Sequence, residues 1–187
     1  MITLPASDPH AQEGSEATAR SRAGRLPARL WRDPIHIIAF GFGAGAVPYA
    51  PGTVGTLVAI PIYGLMTTLT PMWYAVTVFL FFTAGIWICE HAQRALQVYD
   101  HPAIVWDEIV GYLITMFLIT MFLAPSGWVW AILGFVLFRF FDIFKPFPIG
   151  ALERRIRGGL GTMLDDALAG IYASLALYAI AYLAKAI

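Results

Sequence analysis

Asp107 and Glu108 are adjacent carboxylates at the mouth of an apolar run that continues through Leu123 with no further charge. An ionised carboxylate costs several kcal/mol to remove from water, so acids placed there need a cation, a hydrogen-bond donor or a wet cavity. Asp142 and the pair Asp165-Asp166 also lie where a hydrophobic segment meets a charged loop. Acidic sites at three such borders predict one shared polar pocket. Their oxygen donors suit a hard cation such as Mg²⁺; the plainer reading is a set of solvated acids at helix starts, favoured by the helix dipole. Arg139 and Asp142 are three residues apart and share a helix face, Lys145 follows within a turn, and Pro146 ends the helix. The spacing would suit a simple structural ion pair, yet one acid flanked by two bases is also what a metal–phosphate site requires.

Further polar candidates surround these. Asp165 has the spacing to Thr162 of a helix capping box, while Asp166 faces the other way and is harder to explain as a cap. His36 and His101 are candidates for proton transfer to a leaving group, against the commoner fate of a loop histidine, which is simple solvation. The stretch from Ile35 to Thr56 holds five glycines and two prolines, which argues against one straight helix. Gly43, Gly52 and Thr53 belong to it, and Pro51-Gly52-Thr53 opens a helix whose N–H groups can face a phosphate. No Gly-Lys-Ser/Thr follows and no strand precedes, so the stretch is neither a Walker loop nor a dinucleotide fingerprint. By itself it reads first as close helix packing through small residues.

The elements that must position these groups are membrane helices. Of 187 residues 59% are hydrophobic and 13% charged, against about 25% charged in a soluble domain. The formal net charge is zero, which gives no electrostatic case for nucleic acid. The single Cys89 excludes disulfide frameworks and thiolate metal clusters, and lacks the following spacing by which cysteine phosphatases place an arginine. Residues 1–32 read as a disordered basic tail with no signal-peptide core, and residues 33–187 as the membrane domain. Apolar runs at Val54–Leu69, Met72–Cys89, Ile109–Leu123, Trp128–Phe141 and Ala167–Leu183 predict an all-α polytopic bundle of four to five spans, preceded by a glycine-rich re-entrant or interfacial segment. With the N-terminus in the cytoplasm and five alternating spans, every Arg, every acid and Lys145 fall on the cytoplasmic side, leaving Lys185 opposite.

Taken together, Gly41-Phe42-Gly43 through Pro51-Gly52-Thr53-Val54-Gly55, Asp100-His101 with Ile104 through Gly111, Arg139 through Ile149, and Gly158-Gly159 through Gly170 resemble the bacterial phosphatidylglycerophosphatase A family in order and spacing, from about Asp33 to the C-terminus. The resemblance implies a Mg²⁺-dependent phosphatase of the bacterial inner membrane, acting on phosphatidylglycerophosphate at the cytoplasmic face. The expected metal ligands are Asp107, Glu108, Asp142, Asp166 and Asp165. Arg139 and Lys145, with Gly43, Gly52 and Thr53, are expected at the phosphate, and His36 or His101 as the acid. Homo-oligomers are compatible with this reading. A rival class is a small ion-coupled transporter or channel using the same carboxylates; within the enzyme class the alternative is a different phosphomonoester.

Overall fold

The computed structural model describes residues 26–99, 101–123 and 127–185, so the tail before residue 26, Asp100 and the Pro125-Ser126 turn lie outside the described residues. Those described are all-helical, without a strand. A 3₁₀ turn over Ala28–Arg32 leads into α1 (Pro34–Ala39), and a second over Gly41–Ala46 precedes α2 (Pro51–Met66). Then come α3 (Pro71–Leu96), α4 (Trp106–Phe122), α5 (Trp128–Phe144), the short α6 (Ile149–Arg155) and α7 (Gly158–Lys185).

Local chemistry places most of the boundaries. Pro34, Pro51 and Pro71 each stand in the first turn of a helix, where a missing N–H costs nothing and φ is already set. Asp33 caps α1 by accepting the Ile35 N–H at 2.9 Å. The glycine-rich stretch breaks as its composition requires: Phe42 and Gly43 have φ of 57° and 110°, outside any helix. At its far end α5 stops at Lys145, which takes a left-handed φ of 43° just before Pro146. Two boundaries differ from the sequence reading. Helix α3 runs on past Cys89 to Leu96, and α7 begins at Gly158, nine residues before the apolar run at Ala167. Thr162 is therefore inside α7 and caps nothing; its hydroxyl accepts from Gln93 Nε2 at 2.7 Å. Apolarity marks only part of each helix, and both helices extend beyond it.

Helices α4 and α7 form the centre, with α3, α5 and α2 around them. Small residues bring the two backbones together. A Cβ on Gly170 would lie 2.4 Å from the Gly111 carbonyl oxygen, and one on Gly111 would collide with Phe138 and the Asp166 carbonyl. Small residues at such crossings let helix backbones approach closely and pack. Hydroxyls tie the helices across the bundle: Tyr74 donates to the Leu113 carbonyl, Tyr112 to that of Ala131, and Thr115 to that of Gly170. Bonds of this kind contribute about 1 kcal/mol net each, so they set register more than stability.

The outer surface is apolar. Trp73, Phe79, Leu80, Trp87, Trp128, Val136, Phe144 and Tyr182 are among the exposed large hydrophobics. Helices α3 and α7 are long and apolar enough to cross a membrane, and α2 is a shorter apolar helix. The long helices alternate in direction, so the start of α2, the end of α3, the starts of α4 and α7 and the end of α5 meet at one end of the bundle. The acidic residues gather there.

Candidate active site

Asp107 and Glu108 occupy the first turn of α4, behind a buried segment in which the Val105 N–H donates to the Ala39 carbonyl at 2.9 Å. That bond anchors the entry of α4 to the end of α1. Gly41, Gly45 and Gly55 press against Val105 or the Ala103 backbone at distances a Cβ would not permit. Most of the glycine stretch therefore packs on this entry, as the simpler reading of the sequence expected. Trp106 is held from the other side by its Nε1–H bond to the Phe81 carbonyl of α3.

From α7, Asp166 turns toward the same point. One carboxylate oxygen each from Asp107, Glu108 and Asp166 lies within 4.8 Å of the others. Asp107 and Asp166 are 7% and 4% exposed. The Asp107 and Glu108 carboxyls touch each other, and Asp142 from α5 touches Asp166. Glu108 Oε2 and Asp166 Oδ2 are buried with no hydrogen-bond partner among the described residues.

Arg139 completes the cluster from α5. Its guanidinium pairs closely with Asp142 and lies 3.9 Å from Glu108 Oε1. Two like charges at this spacing repel by about 3–4 kcal/mol at an effective dielectric near 20. Four carboxylates facing one guanidinium therefore leave a deficit of positive charge, and the orphaned carboxylate oxygens fit one or two hard dications.

Helix α2 begins directly over this group. A Cβ on Gly52 would stand 2.2 Å from Glu108 Oε1 and 3.2 Å from Arg139 Nη1. The first turn of α2, with Thr53 half-buried in it, thus stands against the acid–arginine cluster, and the first N–H groups of a helix have no partner within it. Gly52 is the position of the glycine stretch that meets charged groups, and it does so because it has no side chain.

Other predicted residues sit elsewhere or in different roles. Lys145 Nζ donates to Asp165 Oδ2 at 2.8 Å, and Asp165 Oδ1 accepts the Asp166 N–H. The neighbours Asp165 and Asp166 thus divide, one to a lysine and the other to the carboxylate cluster. Gly43 has open space beside it. His101 is in the loop before α4, where its Nδ1 accepts the Ala103 N–H at 3.1 Å, so the neutral ring carries its proton on Nε2. Burial holds the pKa of His101 below the ordinary imidazole range. His36 faces away into a different group, with Asp33 and His91. Glu90, which sequence reasoning passed over, accepts the Gly159 N–H at 2.7 Å and binds Arg94, pinning the start of α7 to α3. Its one legible signal was the Glu-x-x-x-Arg spacing.

The family model for phosphatidylglycerophosphatase A matches residues 37–181. A protein of Escherichia coli K12 named phosphatidylglycerophosphatase A is 41% identical over 80% of this chain and 85% of its own length. One of the same name from Haemophilus influenzae Rd is 40% identical over 80% of this chain and 90% of its own. A Bacteroides thetaiotaomicron protein, provisionally named a phosphatidylinositol-3-phosphatase, is 37% identical over 73% of this chain and 86% of its own. No solved structure matches the chain. Every polar group of the cluster, from Gly52 to Asp166, lies inside the matched residues, and the chain belongs to the phosphatidylglycerophosphatase A family.

Proposed function

We propose that this protein hydrolyses the phosphomonoester of phosphatidylglycerophosphate, releasing phosphate and leaving phosphatidylglycerol, with Mg²⁺ held by Asp107, Glu108, Asp142 and Asp166. The observation that carries the proposal is the convergence of these four acids, two buried and two partly buried, with Arg139 at the N-terminus of α2. Such a site matches a phosphomonoester dianion: cations compensate the acids, and the phosphate's remaining oxygens face Arg139 and the α2 N–H groups. Bound at the acids, the metal supplies charge neutralisation on phosphoryl oxygens and an activated water.

The protein's own groups do the rest. Arg139, oriented by Asp142, binds the charge that accumulates on equatorial phosphoryl oxygens. The first turn of α2, through Gly52 and Thr53, fixes the phosphate from the opposite side. Asp165 holds Lys145 at the rim, where its ammonium attracts the dianion as it enters. His101, in the loop that leads into α4, protonates the departing glycerol oxygen, since His36 lies in a different group with Asp33 and His91. The transporter alternative has no support in the fold: the acids gather at one end of the helices, not along a path through them.

The bundle spans the bacterial inner membrane four or five times with this site at the cytoplasmic interface. The exposed apolar flanks and the basic approach at Arg29 and Arg32 support that placement. The glycine turn at Gly41–Ala46, with Phe42 and Tyr49 exposed beside it, is the interfacial segment over which lipid reaches the site.

Phosphate release from phosphatidylglycerophosphate by purified protein in detergent tests this directly. The expected result is release with Mg²⁺ that stops with EDTA. Turnover of phosphatidylinositol-3-phosphate in preference would keep the site and move the headgroup toward that of the Bacteroides relative. No release from any phosphomonoester would overturn the proposal.

A further inference from the structure

We propose that Asp33, His36 and His91 form a second metal site, for a transition-metal dication of the zinc class, separate in its residues from the carboxylate cluster. One ligand atom of each lies within 4.8 Å of the other two. His36 Nδ1 and His91 Nε2 both stand 3.4 Å from the same oxygen, Asp33 Oδ2. That separation is long for a hydrogen bond. It is close to the edge of a tetrahedron of nitrogen and oxygen ligands about 2.0–2.1 Å from a zinc, which is about 3.3–3.4 Å.

The polar contacts among the three groups are the two long ones to Asp33 Oδ2, which bonds to an ion would replace. Asp33 uses its other oxygen, Oδ1, to cap α1, leaving Oδ2 toward the histidines. His36 is 4% exposed, and neither of its ring nitrogens has a hydrogen-bond partner. A buried imidazole without partners carries a desolvation cost of a few kcal/mol, which a bound metal removes. Its ring stacks on Phe40, and the His91 ring lies against Trp87, so packing sets both orientations before any ligand arrives. Asp33 and His91 keep one side open, their side chains 33% and 40% exposed. Solvent therefore supplies the fourth ligand and the metal has a way in. Two imidazoles and one carboxylate select a borderline dication such as Zn²⁺ over Mg²⁺, which prefers oxygen. The ion clasps α1 to the end of α3, steadying the segment on which the entry of α4 rests through Ala39 and Val105.

The test uses the full-length protein without a polyhistidine tag, in detergent, with excess Mg²⁺ present to fill the carboxylate cluster. Bound Zn²⁺ is counted after equilibrium dialysis and its ligands are read by X-ray absorption at the zinc edge. The expected result is one zinc per chain with the scattering of two imidazole rings. His91→Ala, at a partly exposed position, should lose one ring and weaken zinc binding by more than about a hundredfold, because even the outer partners of metal ligands are worth 10- to 100-fold. Zinc bound without imidazole scattering in the wild type would overturn the site, as would the same ring count and affinity in His91→Ala. The outcome does not depend on phosphatase activity, so the two proposals fail separately.

Discussion

Asp166 shows how much one side chain can settle. It is next to Asp165 in sequence, yet Asp165 accepts from Lys145 while Asp166 is buried against the acids of α4 and α5. Asp166→Asn and Asp107→Asn should each lower kcat by more than about a hundredfold, above the 10- to 100-fold cost of losing an outer partner of a metal ligand. Asp165→Asn should act mainly on KM, through Lys145; steady-state kinetics on the lipid separates the two patterns. Arg139→Lys should also lose at least about tenfold in kcat, because a point charge cannot serve Asp142, Glu108 and phosphoryl oxygens together. His101 gives the pH dependence its sign. As the proposed proton donor it would act in its cationic form, and burial makes that form scarce at neutral pH by lowering the pKa. Below the unperturbed imidazole value of about 6.5, kcat should climb as pH falls, and a pH profile of His101→Gln should lack that limb.

At the scale of the element, Gly52 and Gly170 carry opposite predictions. Gly52→Ala puts a methyl within 2.2 Å of Glu108 Oε1 at the first turn of α2. Glu108 and Arg139 must then move, so activity should fall by at least about tenfold, as misplacements near 1 Å do, with little change in thermal unfolding. Gly170→Leu forces apart the α4–α7 crossing at the Gly111 carbonyl and should destabilise the fold by about 1–3 kcal/mol or more. A lower Tm in detergent, seen before any loss of specific activity in the remaining folded protein, is the expected outcome.

At the scale of the molecule, the alternating helices place Tyr49 and Phe147 at the acidic end and Trp128 at the other, all strongly exposed. Cys89 is fully buried, so it gives no background to a thiol reagent. Tyr49→Cys and Phe147→Cys should react with an impermeant maleimide only in inverted vesicles, and Trp128→Cys only in right-side-out cells. The reverse pattern would put the site outside the cytoplasm.

Much of this was legible in the chain because the physics involved is local. Prolines at first helical turns, glycines at a break, apolar length and acids at the borders of apolar runs each follow from a few neighbouring residues. The sequence by itself determined an all-helical apolar chain and its family, and it supplied the acids and bases that are candidates for the chemistry. Only the tertiary structure decided which of them meet. The bond between Val105 and Ala39, the contact of Gly52 with Glu108 and the approach of Asp166 to α4 join positions tens of residues apart. No periodicity encodes them; they arise because small residues let particular backbones come close. His36 makes the same point from the other side: its spacing from Asp33 was visible, but His91, which completes the group, arrives on a different helix.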